Sequence, residues 1–192
     1  DTFNHRIQKF SSCGEFISQF GVYGSKASQL DSPWGMALDG SGNLLVADHL
    51  NNRVQKFSAD GDYLSTFGDK GTEVQTLDHP TDITVDADGD IYVSDWANDR
   101  VQIFDENGTH ITALYGAAME LSKWQRQYVN GNPDVYKARR RVASLEPEKR
   151  FALPAGVTYD VEKSRLLVVD SQRWRIQIFD KLTNYSDPQF NI

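Results

Sequence analysis

The chain is poor in sulfur and has no membrane-length apolar run. Its single cysteine, Cys13, excludes an intrachain disulfide and a thiolate metal cluster. That suits a reducing compartment and a disulfide-free secreted protein equally, so the compartment stays open. No stretch approaches the ~18 apolar residues of a membrane helix, and no signal-peptide pattern is visible. Basic residues are outnumbered, with 20 Lys and Arg against 27 Asp and Glu, for a net charge of −7. Nucleic-acid binding draws most of its affinity from Lys and Arg on phosphates, so this balance argues against such a partner. The Gly-x-Ser-x-Gly nucleophile elbow and the phosphate-binding P-loop are both missing.

What is present is a repeat. Pro33-Trp34-Gly35-Met36-Ala37-Leu38-Asp39 returns 47 residues later as Pro80-Thr81-Asp82-Ile83-Thr84-Val85-Asp86, and again from Pro154 to Asp160. A second segment ends at Asp48, Asp95 and Asp170. A third runs Arg53–Phe57, Arg100–Phe104 and Arg175–Phe179, and Arg6–Phe10 fits the same register. Alternating β-branched and aromatic residues read as strands. Each unit has four of them, a to d, with d at Phe16–Phe20, Tyr63–Phe67 and His110–Leu114. Asp60-Gly61 and Asn107-Gly108 are tight hairpin signals between c and d, and Cys13-Gly14 takes the same place.

Four short strands per repeat describe the blade of a β-propeller. The run from Asp48 through a short loop to Arg53-Val54-Gln55-Lys56-Phe57, with its counterparts from Asp1, Asp95 and Asp170, resembles the NHL repeat. The fold class is therefore all-β: a propeller of four-stranded NHL-type blades with a short α-helical insertion. The organisation read from the chain is strands c and d at 1–21, whole blades at 33–68 and 80–116, an insert at 117–150, strands a to c at 154–180 and a tail at 181–192. The resemblance implies a ring of about six blades. The chain is thus expected to be a piece of a longer protein, or a half-ring that self-associates. Fold alone does not assign an activity.

Antiparallel order puts the b–c loops and d–a connections on one face and the a–b and c–d turns on the other, with strand a lining the channel. The third d–a connection is long: Pro80 to Pro154 spans 74 residues, 27 beyond the 47-residue offset. Ser122-x-x-Gln125 resembles a capping box, and Asn132-Pro133-Asp134 reads as a helix start. Two helices are expected, about 123–129 and 133–144. By charge the insert is +4 and the remainder −11.

Several residues carry candidate chemistry. The Asp–Arg pairs (Asp48 with Arg53, Asp95 with Arg100, Asp170 with Arg175) recur in every blade, which favours scaffolding. Asp86-Ala87-Asp88-Gly89-Asp90 has calcium-like spacing, but its sister turn from Asp39 has one acid, and a plain turn is favoured. The histidines His5, His49, His79 and His110 fall at unlike repeat positions, so converging zinc ligands are not expected. NHL-like amidating lyases place a zinc-binding His after the strand-a Pro, whereas this chain has Trp34, Thr81 and Ala155 there. Asp82 stands where sister blades have Gly35 and Gly156, so it is a candidate channel-mouth acid, with a solvated or Arg-paired acid as the plain alternative. Trp34, Trp96 and Trp174 fall on the b–c face, free to anchor a partner or to pack under the insert. His49 and Arg173 join them there. Arg139-Arg140-Arg141 is a candidate acceptor of phosphate or an acidic protein, or a solvated helix face.

Together these features point to a non-catalytic binding scaffold. It would present the b–c face and the insert to a protein, peptide or glycan, with no cofactor or metal. A metal-dependent lyase or lactonase and an RNA-binding propeller are the alternatives.

Overall fold

The computed structural model describes residues 1–181, apart from 70, 72, 119–120, 122 and 142–144. Two complete antiparallel sheets form the centre. One is β5 (Pro33–Leu38), β6 (Leu44–Asp48), β7 (Arg53–Phe57) and β8 (Tyr63–Phe67). The other is β9 (Pro80–Val85), β10 (Ile91–Asp95), β11 (Arg100–Phe104) and β12 (His110–Leu114). Before them lies the hairpin β1 (Ile7–Phe10) and β2 (Phe16–Phe20). Between that hairpin and β5 runs a short parallel pair, β3 (Val22–Tyr23) and β4 (Gln29–Leu30), which the repeat pattern does not announce. After the insert come β13 (Pro154–Asp160), β14 (Arg165–Asp170) and β15 (Arg175–Asp180). We number these sheets as the first to fourth blades, with the hairpin as the first.

The core lies between blades. Leu45, Ala47 and Val54 of the second blade pack on Leu77, Ile83, Ile91 and Phe104 of the third. Tyr92 and Val101 of the third pack on Phe151, Val157, Leu166 and Val168 of the fourth. Alternate residues of each strand face opposite neighbours, so both blade faces are apolar and both are used. Five of the turns close by one device. The residue after the strand, Asp39 or Asp86 after a, and Ser11, Ser58 or Asp105 after c, accepts backbone N–H groups two and four residues on.

Buried charge fixes the b–c end of the second, third and fourth blades. Arg53 Nε donates to Asp48 at 2.7 Å, while its terminal nitrogens donate to the carbonyls of Ser25, Lys26 and Gln29. Arg100 grips Asp95 at 2.6 Å and the carbonyls of Glu73 and Thr76. Arg175 grips Asp170 at 2.6 Å and the carbonyls of Lys149 and Arg150. One guanidinium thus ties strand b, strand c and the incoming d–a connection together.

A second device joins neighbouring blades. Each b–c loop is a one-turn 3-10 helix ending in a left-handed residue, at His5, Asn52, Asp99 and Trp174. The side chains of the first three accept the N–H of Ser32, His79 and Leu153, which precede the next blade's strand a. The indole of Trp174 has no such acceptor to offer.

The insert contains α1 (Lys123–Gly131), α2 (Pro133–Arg139) and a four-residue α3 (Glu146–Lys149). Asn132 caps α2 by accepting the Val135 N–H at 3.4 Å. The helix expected over 133–144 ends at Arg139, and Arg140 and Arg141 lie in a turn. The helix expected over 123–129 runs on to Gly131, and α3 was not anticipated. Residue Ser122 of the capping-box reading lies outside the described residues, as do residues 182–192 of the tail. The insert leaves and re-enters at one place, where Ala118 N–H donates to Lys149 O at 3.1 Å and Phe151 N–H to Tyr115 O at 2.8 Å.

Candidate binding face

The b–c face gathers four rings where the second and third blades meet. Trp34, at the start of β5, lies flat on His49 of the following 3-10 turn, with centroids 4.3 Å apart and planes within 5°. His49 meets the edge of His79 at 4.9 Å, and Trp96 leans toward both imidazoles at 6.5 and 6.4 Å. Half of Trp34 (54%) is exposed, so the indole face turned away from His49 is open.

The local chain geometry explains the gathering. His49 opens the 3-10 turn after β6, and its Nδ1 lies 3.1 Å from the carbonyl of Pro80, the first residue of β9. A carbonyl only accepts, so Nδ1 carries the proton and Nε2 does not. Burial lowers the pKa of His49 below the ordinary histidine value, and His79 adds to the fall, while Asp31 and Asp78 oppose it. The ring is therefore neutral near pH 7. His79 sits in a left-handed conformation just before Pro80, held by Asn52, and its Nδ1 contacts Asp78 Oδ1 at 2.5 Å.

Beside the rings lies a cleft of about 560 Å³, lined by Asn51, Asn52, Asn98, Asp69, Glu73 and Asp78 among others. The three carboxamides are committed to the scaffold. Asn51 donates to Gly24 O and Asp48, Asn98 donates to Asp95, and Asn52 accepts from His79. Beneath the cleft the cations are matched as well, Arg53 by Asp48 and Arg100 by Asp95.

The other sequence candidates do not join this cluster. Asp82 is not an open acid at the channel mouth, nor is it paired with an arginine. Its Oδ2 accepts the Val157 N–H of the fourth blade at 3.0 Å, and its Oδ1 accepts the Ile83 N–H at 3.0 Å. The sister glycines make room for it. A Cβ on Gly35 would stand 2.5 Å from both Asp82 Cα and Oδ1. Trp174 is 78% exposed on the fourth blade, apart from the ring cluster. Trp34 packs on His49 rather than under the insert. The arginine run is divided: Arg139 is bound by Glu148 at 2.7 Å, Arg140 lies over the Tyr136 ring at 5.6 Å, and Arg141 is exposed. Arg173 lies in the fourth blade's 3-10 turn, beside Trp174.

On the opposite face, the calcium-like turn is closed by an ammonium. Lys181 Nζ reaches Asp86, Asp88 at 2.8 Å and Asp90 at 3.0 Å, and Tyr92 donates its hydroxyl to Asp86 at 2.9 Å. Among the described residues, no three His, Cys, Asp or Glu side chains are disposed to hold a metal.

The sequence reading missed His79 and Asp78 as parts of the site. The signal was present. His79 directly precedes the strand-a proline, on the same face as the b–c loop that carries His49.

The NHL repeat profile matches residues 30–57 and 77–104, which run from the approach to strand a to the end of strand c in both central blades. The chain carries NHL repeats. Among solved structures it is similar to a Bacteroides thetaiotaomicron protein of unknown function, at 17% identity over 92% of this chain and 42% of that one, with a TM-score of 0.62. It is also similar to a catalytically inactive Staphylococcus aureus virginiamycin B lyase with quinupristin (12% identity, 95% and 51% covered, TM-score 0.51). Kuenenia stuttgartiensis hydrazine synthase matches at 13% identity over 82% of this chain and 35% of that one, with a TM-score of 0.53. No curated protein matches. The chain spans about half or less of the length of these structures, and at such identities the likeness is one of fold.

Proposed function

We propose that this NHL-repeat chain is a non-catalytic binding module whose partner docks on the b–c face at the second and third blades. The observation that carries the reading is the ring cluster. A half-exposed tryptophan is held flat by a neutral, buried histidine, so one broad indole face is fixed toward solvent. An aromatic anchor ordered before binding loses little conformational freedom when a partner arrives. His49 and Asn52 are each tied to the neighbouring blade, which suits a rigid platform.

The test is a binding screen of the intact chain against peptides, oligosaccharides and single-stranded RNA, read by tryptophan fluorescence and repeated with Trp34→Ala. A ligand whose binding Trp34→Ala weakens by about tenfold, with unchanged thermal unfolding, supports the assignment. Ligands bound equally by both proteins place the binding surface elsewhere.

A further inference from the structure

The chemistry around the rings selects among the possible guests. Asp69 and Glu73 line the cleft and are exposed, Asp78 stands at the edge of the ring cluster, and none of the described lining residues is basic. Several nearby donors are spent. Asn51 and Asn98 give their amide protons to the scaffold, Arg53 and Arg100 are neutralised by buried aspartates, and His49 gives its one ring proton to Pro80. A buried acceptor behind Thr76 of the lining is also left open. Gln55 and Gln177 accept the N–H of Ser28 and Ala117 in their blades, whereas the buried Oε1 of Gln102 accepts from no partner among the described residues. The described lining of the cleft is therefore rich in carboxylates, and it adjoins the ring cluster through Asp78 and His79. A cation laid on an indole is attracted to its π-face, and carboxylates at a cleft mouth draw positive charge in.

We infer that the partner presents a basic peptide segment, with an Arg or Lys side chain on the open face of Trp34 and its flanking residues in the cleft bounded by Asp69, Glu73 and Asp78. This rests on the ring cluster being the binding face, as proposed above. The cleft volume of about 560 Å³ suits a few residues of extended chain rather than a single small ion. The acidic character of the whole chain, at −7, acts in the same direction at long range.

The experiment measures binding of the intact chain to an array of short peptides of graded net charge and to neutral oligosaccharides, at low and at physiological salt. Basic peptides are expected to bind, and their Lys/Arg→Gln versions to bind about tenfold more weakly. Affinity is expected to fall as salt rises. Asp78→Asn combined with Glu73→Gln should weaken the basic peptide several-fold and leave thermal unfolding unchanged. Trp34→Ala should weaken it as well. Should neutral sugars or the Gln peptides bind as well, still with loss in Trp34→Ala, the cationic guest is wrong and the binding face stands. Should a basic peptide bind with no loss in Trp34→Ala or in the acidic variants, both readings fall. Absence of binding by every basic peptide overturns the inference.

Discussion

Asp82 in β9 accepts the N–H of Val157 in β13 at 3.0 Å, so one carboxylate on the third blade's inner strand holds the inner strand of the fourth. This bond lies beside the apolar core that these two blades share, and it satisfies a partly buried backbone donor. Although both sister blades have glycine here, Asp82→Gly should lower stability by about 1–2 kcal/mol. Asp82→Asn, which keeps an acceptor oxygen, should lose less. The urea midpoint of each variant measures this, and an unchanged midpoint for Asp82→Gly would mean that the bond contributes nothing.

Gly35 is the counterpart of that carboxylate. A methyl group there would stand 2.5 Å from Asp82 Cα and 2.7 Å from Thr81 O, both backbone atoms that cannot swing aside. Gly35→Ala should therefore cost about 1–3 kcal/mol through forced separation of the two inner strands. Gly40→Ala meets no atom within 4 Å and serves as the neutral control. Equal unfolding midpoints for the two variants would refute the packing argument.

Lys181 closes the three-carboxylate turn from the neighbouring blade. Burial disfavours its charge, yet Asp86, Asp88 and Asp90 raise its pKa well above the usual lysine value. A raised pKa gives stability that is complete below the unfolded value and lost as pH climbs through the folded one. The contribution should therefore persist through neutral pH and fade only above about 10.5. Lys181→Met should cost about 1–2 kcal/mol, less at high salt because Asp88 is exposed. Thermal unfolding across alkaline pH, with and without the substitution, measures it.

His49 predicts the acid behaviour. Its pKa lies below that of the unfolded chain because the ring is buried and faces His79. The unfolded chain then binds the extra proton first, so stability from this group is present above pH 6.5 and is lost as pH falls through the depressed folded value. His49→Phe keeps a ring under Trp34 and should flatten that part of the stability profile. A profile of the same slope in the variant would show that another group is responsible.

The insert should be separable. Its two ends are already joined by the Ala118–Lys149 and Phe151–Tyr115 hydrogen bonds, so a short Gly-Ser turn in place of residues 119–148 spans no new distance. The shortened protein is expected to keep its β circular dichroism and to unfold cooperatively. Loss of cooperative unfolding would make the helices a brace for the fourth blade.

The strands and their turns were legible because each depends on residues close in sequence: period-two alternation, Asp60-Gly61, and the Arg53–Phe57 run. The Asp48–Arg53 pair was legible for the same reason, since five residues separate a strand end from the next strand start. The ring cluster was not. His49 and His79 lie thirty residues apart, and only the curvature of one blade around the next brings them within 4.9 Å. Asp82 was misread because its partner, the Val157 N–H, is a backbone group on another blade, and backbone donors leave no trace in side-chain identity. The end of α2 at Arg139 was overrun because Arg140 and Arg141 have good helical propensity, while the Arg139–Glu148 pair joins α2 to α3 after a turn.

The joints between blades also show where the repeat is free to drift. The first closes on an imidazole nitrogen of His5, the second on the amide oxygen of Asn52 and the third on the carboxylate of Asp99. Three residue types share one duty because each carries a lone pair within reach of the next blade's incoming N–H. The seam asks for an acceptor at the end of the turn and not for a particular amino acid, so blades that look unlike in sequence still fit as neighbours.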